Sequence, residues 1–467
     1  MRSLILRFTI VLAGLPTISL AQDSVRMSVQ DAVQYAAKNH VRVKNALLDQ
    51  QTSLARNKEV AGLALPKISA QGGISHAPLV AAFAVPNFIK SAIAGDPNNN
   101  IPGLVGSEYL DPDVVANTPD VIPLAFQPKW TTNGTLQANQ VLFDPSVMVA
   151  LQARRTIEEL AAKSIDLTVQ DVKVSVAKAY YNVLVAEKQK TLIDQNIVRI
   201  SQIENETREY YKAGFTEKID VDRITVLLNN LRTQKIRIDQ TMGLAYLALK
   251  FQMGMDLKEP IVLTDSLTDE GLGDELLEQA LEFERRNEFQ LLSIQNQLLR
   301  YDVKRYKLGW LPTLALFGNY GYTLYNSDKL FQPGDAWQKS ALIGTSLNIP
   351  IFDGFQRRNK QRQAELAVER NENDLENLRQ GLTLENETAR ISLRNNLLAL
   401  ENQRTNMRLA EDVYNTARIK YKEGVGSNLE VLDAETALKE AQTNYFTALY
   451  DVMTSRVDLQ KALGVFN

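Results

Sequence analysis

The sequence predicts a mixed, mainly helical chain in which very long, coiled-coil-like helices are joined to short groups of membrane-type β-strands. Three observations carry that prediction. Helical patterns run for about 70 residues with no internal Pro, over 146–212 and again over 355–422. Segments of roughly ten residues alternate apolar with small or polar side chains, the period of a strand with two unlike faces. The whole layout is also written twice along the chain.

The N-terminus carries Arg2 and Arg7, a short apolar run over Phe8–Leu15 and a small-x-small site at Ser19-Leu20-Ala21. Residues 1–21 therefore read as a secretory signal peptide. Its removal shifts the formal net charge from -3 to about -5. Basic and acidic residues alternate along the helical stretches without a basic stripe, so nucleic acid is excluded as a partner. The absence of Cys predicts neither disulfides nor a lipid anchor on a cysteine. No later stretch approaches 18 consecutive apolar residues, so no membrane-spanning helix is expected. An exported chain of this kind is either soluble or enters a membrane as β-strands.

The first structural repeat is read over 22–255 and the second over 275–467, with an equatorial linker at 256–274 that contains Pro260, Gly271 and Gly273. Ala32-Val33-Gln34-Tyr35 answers Ala280-Leu281-Glu282-Phe283, and Leu65-Pro66 answers Leu311-Pro312. Phe143-Asp144 matches Phe352-Asp353, Tyr211-Lys212-Ala213-Gly214 matches Tyr421-Lys422-Glu423-Gly424, and Gly254 matches Gly464. Each copy holds a helix, a strand pair, a long helix, a Gly turn and a second helix. In the first copy the initial helix of about 38 residues is followed by strands at about 67–76 and 130–143. A long helix at 146–212, a tip at 213–216 and a helix at 217–254 complete it. In the second the order is helix 275–310, strands at about 312–325 and 341–352, long helix 355–422, tip 423–428 and helix 429–464.

At 1.5 Å per residue the long helices span about 100 Å each, too long for an ordinary globular helix. Ile165, Val169, Val172, Val176, Ala179 and Val183 recur at three- and four-residue steps, as a coiled-coil seam requires.

The strands put apolar residues on one side, for example Ile343, Leu347, Ile349 and Ile351, and Gly344, Ser346 and Asn348 on the other. Four such strands cannot close a barrel, because small barrels need at least about eight. Open sheet edges are not tolerated in lipid. If the strands span a membrane, several subunits must share one wall. The stretch 78–128 holds eight of the 15 prolines and reads as an extracellular loop insertion at the barrel mouth. Asp96, Asp111 and Asp113 within it fit Asp-Pro turn chemistry rather than a calcium site.

The tip at Tyr421–Ala437 is an αα-hairpin. Gly424-Val425-Gly426-Ser427 reverses the chain, Ser427 or Asn428 caps the next helix, and Glu430 and Asp433 fall in its first turns. No catalytic constellation accompanies it. His40 and His76 are the only histidines, with no Cys to join them, so neither a nucleophile nor a metal site is expected, and no cofactor.

Taken together, the signal peptide, the duplicated layout and the tip from Tyr421 to Glu435 resemble the TolC family of outer-membrane efflux channels, over about residues 25–465. The second tip is the more specific copy; the first, Gly214-Phe215-Thr216 with Ile219-Asp220-Val221, is weaker. The resemblance implies a homotrimer whose three subunits give four strands each to one transmembrane β-barrel, set over an α-helical barrel in the periplasm. It implies a location in the cell outer membrane, contact with its lipid, and as partners a periplasmic adaptor (membrane fusion) protein and an inner-membrane transporter. By the same likeness Gly214, Phe215, Gly424 and Val425 are adaptor-contacting tips. Glu430 and Asp433 form the acidic ring of the periplasmic gate, and Tyr421 and Asp220 belong to its latch. The sequence departs from the family pattern where Gly426 replaces the latch arginine, Ile219 replaces a threonine, and Glu430 stands where Asp is usual. The implied function is a non-enzymatic exit duct for tripartite efflux or type I secretion. The other class considered is a non-pore structural or adhesive periplasmic coiled coil, which has no use for lipid-facing strands.

Overall fold

The structure, a computed structural model, describes residues 25–87, 117, 119–124, 128–267, 274–326, 329–331 and 336–466. The signal peptide at 1–21, Asp96, Asp111 and Asp113 of the long loop, and Gly271 and Gly273 of the linker lie outside the described residues. The chain runs β1 (Val25–Met27), α1 (Val29–Asn39), α2 (Val41–Gly62), β2 (Lys67–His76), β3 (Phe83–Pro86), β4 (Val121–Leu124) and β5 (Trp130–Phe143). It continues α3 (Pro145–Lys212), α4 (Lys218–Met253), β6 (Ile261–Leu263), α5 (Asn287–Lys307), β7 (Thr313–Asn326), β8 (Gln338–Asn348), α6 (Gln356–Lys422) and α7 (Asn428–Leu463). Two compact units result, one from residues up to Ala55 with Arg155–Arg300 and the chain from Glu365 on, the other from Arg56–Arg154 and Tyr301–Ala364.

The first unit is held by helical seams. In α3 the buried positions Ile193, Asn196, Ile200, Ile203 and Thr207 step by three and four residues, and Val221, Ile224, Leu228 and Leu231 of α4 do the same. That is the 3.5-residue period of a left-handed coiled coil. Of these side chains, Ile193, Ile200, Ile203, Ile224, Leu228 and Leu231 form one apolar cluster with Tyr414 and Ala417 of α6 and Val431, Ala434 and Leu438 of α7. A larger cluster joins α1, α3, α4, α6, α7 and β6 through residues such as Val176, Val183, Leu249, Val452 and Leu459. Each such side chain contributes about 1.5–3 kcal/mol on burial, so packing rather than intrinsic propensity supplies most of the stability of these helices.

Two departures from the sequence reading lie in this unit. The first helix is not one span. It closes at Asn39, His40 is extended (φ -62, ψ 135), and α2 restarts at Val41. The break lies against Gly254, where an added Cβ would come within 2.8 Å of the His40 Cα. His40 is buried, its Nδ1 accepts from the Arg42 amide at 3.1 Å, and burial, then Arg42, hold its pKa below the usual imidazole range. Secondly, the helix expected over 275–310 begins only at Asn287, after short 3₁₀ turns at Asp274–Leu276 and Phe283–Arg285. Arg286, 1% exposed, donates to the Ala462 carbonyl at 2.7 Å and to Glu385 at 2.8 Å. Arg390 donates to the carbonyls of Leu277 and Gln279. These long-range bonds hold the segment out of the helix that its local pattern favours. Within 256–274, β6 pairs in parallel with β1, Val25 opposite Ile261, so this connection carries ladder structure.

The second unit is an antiparallel sheet in the order β2-β5-β7-β8. Lys67 pairs with Asn139, Trp130 with Asn326, and Thr313 with Asn348. A register shift separates Val141 and Phe143. The strand expected at 341–352 starts earlier and stops at Asn348, because Pro350 has no N–H to give the ladder. Ile68, Ile74, Ile343 and Leu347 stand exposed, and the Phe317 ring covers Gly344, where a Cβ would meet it at 2.7 Å. Among the described residues the edges of β2 and β8 are unpaired. A separate pair, β3 with β4, brings Phe83 opposite Leu124 inside the long loop.

Candidate functional site at the helical hairpin tips

Both tips close by the same local chemistry. After α3, the Phe215 amide donates to the Tyr210 carbonyl at 2.9 Å, with Gly214 at φ 78; after α6, the Val425 amide donates to Lys420 at 3.0 Å, with Gly424 at φ 74. A left-handed residue past a helix end costs little only for Gly, and the paired amide bonds satisfy the last carbonyls. Nothing lies within 4 Å of an added Cβ at either Gly214 or Gly424, so backbone conformation alone selects glycine there. The turn presents Phe215 at 83% exposure and Val425 at 78%, two apolar side chains turned out to solvent.

The helices that leave the tips start differently. Ser427 accepts the Glu430 amide at 3.2 Å as the cap of α7, whereas Glu217 before α4 makes no side-chain cap. The two tips are tied together by Asn428, whose Nδ2 donates to the Asp220 carbonyl at 3.1 Å. The Asp220 carboxylate accepts from Thr216 at 2.6 Å and lies 3.8 Å from Arg223. The Tyr421 hydroxyl shares a 2.9 Å hydrogen bond with Thr207, and burial, more than the nearby Asp220, pushes its pKa up. Tyr421 and Asp220 thus occupy one end of the helical unit, each bonded to a third residue.

Glu430 and Asp433 lie one turn apart on the exposed face of α7 and make no ion pair among the described residues. They line a groove of about 600 Å³ with Val413, Thr416 and Lys420 of α6. Two turns of helix behind the cap sits a carboxylate of the opposite character. Glu435 is 2% exposed, Arg199 donates to its Oε1 at 3.2 Å, and its Oε2 has no partner. Burial, only partly offset by Arg199, raises the Glu435 pKa. Sequence reading passed over this pair, although Glu435 falls four residues after Val431 and three before Leu438, on the seam itself.

The helical unit with its Gly-closed hairpin tips and the antiparallel sheet with outward apolar side chains are the features to set against known proteins. Residues 276–465 match the family model described as outer membrane efflux protein. The chain is 22% identical over 331 residues to the outer membrane protein TolC of Vibrio cholerae, covering 70% of this chain and 76% of that one. Its fold is similar to the crystal structure of the outer membrane protein VceC from Vibrio cholerae, with TM-score 0.66 and 15% identity over 93% of this chain and 96% of that one. It is also similar to CusC, with TM-score 0.69 and 16% identity over 95% of each chain. The chain is thus similar to outer membrane efflux proteins over 276–465 and to TolC over 70% of its length.

Proposed function

We propose that the protein is the exit duct of a tripartite export system, a homotrimer that passes substrates delivered by a periplasmic adaptor and an inner-membrane transporter to the outside. The observation that carries this reading is the sheet in the order β2-β5-β7-β8, whose outer edges are unpaired among the described residues while its apolar side chains face out. An exposed sheet edge in lipid costs several kcal/mol per unmet backbone group, so copies of the chain must close the wall together. Three copies give twelve strands. The helical seams, on the same reading, line a periplasmic conduit, and the two halves of the chain are one fold repeated.

In this duct Glu430 and Asp433 form an acidic collar at the entrance, where carboxylates in a narrow aqueous pore attract cations. Tyr421 and Asp220 belong to the latch that holds the hairpins together, with Thr207, Thr216 and Asn428 as their direct partners. Gly214, Phe215, Gly424 and Val425 are the surface that an adaptor meets, and splaying of the hairpins opens the entrance. Small-molecule efflux and protein secretion use such a channel alike. The reading is tested on detergent-extracted protein: migration as a heat-sensitive oligomer with single-channel conductance in planar bilayers is expected. A monomer that stays soluble without detergent and conducts nothing overturns it.

A further inference from the structure

The junction between sheet and helices carries a charge pattern that the duct itself does not use. From Tyr301 to Pro312 the chain holds Lys304, Arg305 and Lys307; from Pro350 to Ala364 it holds Arg357, Arg358, Lys360 and Arg362. Against these stand only Asp302 and Asp353, and both are already engaged, Asp302 by Arg305 at 3.2 Å and Asp353 by Arg357 at 2.6 Å. The excess is strongly positive within a chain whose formal net charge is -3. Lys307, Arg358 and Lys360 are exposed and make no ion pair among the described residues. Arg358 and Lys360 also sit in the opening turns of α6, which contain no acidic residue, so the helix macrodipole opposes their charge.

Immediately beside these cations lies an apolar belt. Trp310 is 65% exposed, Ile351 92% and Phe352 73%, and the Phe352 and Phe355 rings meet edge to face at 5.4 Å. Amphipathic aromatics at the end of membrane-type strands mark the level of the lipid headgroups. Basic clusters directly outside such a belt attract anionic lipid. The other passage from strand to long helix is less basic: the matching stretch Val141–Arg155 holds only Arg154 and Arg155, at its far end, and Asp144 caps the start of α3 by accepting the Ser146 amide at 2.7 Å. The cationic excess is therefore larger at this junction than at its counterpart, where Arg56, Lys58, Arg154 and Arg155 are the basic residues of the matching stretches.

We propose that Lys307, Arg358 and Lys360, beside the Trp310–Phe352 belt, form a binding site for anionic glycerophospholipid headgroups in the leaflet nearest the helices. The proposal rests on the outer-membrane reading above and adds to it a chemical class of lipid. Trp310 is a built-in probe, with Trp130 and Trp337 as the other two tryptophans of the chain. The channel carrying Trp130→Phe and Trp337→Phe is reconstituted in phosphatidylcholine vesicles containing equal fractions of brominated phosphatidylglycerol or brominated phosphatidylcholine. Phosphatidylglycerol is expected to quench Trp310 roughly threefold more strongly per mole, the attraction to the cations being reduced by salt screening. Lys307→Gln with Arg358→Gln and Lys360→Gln is expected to bring the two lipids to parity. A companion channel retaining only Trp130 is expected to show no preference. Parity at Trp310 with all three cations present overturns the proposal, as does a preference that survives their removal. Absence of quenching by either lipid overturns it too, and also removes this junction from the bilayer. Parity with normal conductance leaves the duct standing.

Discussion

The Arg199 guanidinium reaches the Glu435 carboxylate at 3.2 Å inside the four-helix seam behind the tips, and it also lies over the Tyr414 ring at 5.4 Å. Glu435 is almost fully enclosed while Arg199 remains partly exposed, so the pair is asymmetric. Removing the cation strands a buried charge; removing the charge does not. Arg199→Met is expected to destabilise the helical unit by about 3 kcal/mol, whereas Glu435→Gln is neutral or stabilising at neutral pH. Thermal melts followed at 222 nm decide it, and equal losses from both variants contradict the asymmetry.

The same carboxylate sets a pH dependence. Burial raises the folded pKa of Glu435 above its ordinary value of 4.5, so the folded state holds the proton more tightly than the unfolded chain. Its contribution is fully present below that ordinary value and is lost as pH climbs through the raised folded value. Wild-type stability minus that of Glu435→Gln should therefore decline from pH 4.5 upward. A flat difference across that range removes Glu435 as the titrating group.

The exposed carboxylates make a functional prediction. Glu430→Gln with Asp433→Asn should lower cation selectivity in planar bilayers and relieve block by trivalent cations, with little change in stability, since neither side chain makes an ion pair among the described residues. Unchanged reversal potentials would take the collar out of the mechanism.

Tyr421→Phe removes one shared hydrogen bond to Thr207, a loss of about 1 kcal/mol. If that bond is part of a latch, Tyr421→Phe and Thr207→Val should each raise the open probability of the channel. The double variant should then do little more than either alone. Additive effects would show that the two residues act separately.

Arg286 supports the segment that precedes α5. Arg286→Met leaves Glu288 and Glu385 without their shared guanidinium and should cost about 3 kcal/mol. Hydrogen exchange should report early loss of protection over 274–286, ahead of the long helices. Simultaneous loss throughout the helical unit would assign Arg286 a global role instead.

Much of this fold is written in local pattern. The long helices were legible because a three-and-four spacing sustained over many turns has no other solution, and the strands because alternation of Thr, Asn and Gln with apolar residues over Trp130–Phe143 fits one face against another. The tips were legible through Gly214 and Gly424, whose left-handed backbone strongly favours glycine. Features set by distant partners were not. Nothing near His40 announces that Gly254 packs against it, and nothing near Arg286 announces the Ala462 carbonyl. The short pairing of β1 with β6 joins residues far apart in the chain and leaves only a three-residue trace at each end. At the candidate site, motif resemblance picked out the exposed carboxylates but missed Glu435, because a charge on an apolar seam violates the pattern used to find the seam.

The outer edges of β2 and β8, unpaired among the described residues, have a genetic corollary. In the proposed duct every seam of the wall is shared, so a copy with a damaged edge spoils the joint it makes with each neighbour, and sound copies are consumed in the process. Alleles lesioned along Lys67–His76 or Gln338–Asn348 should therefore be dominant over the normal gene in a mixed population of subunits. Lesions buried in a single helical seam should be recessive.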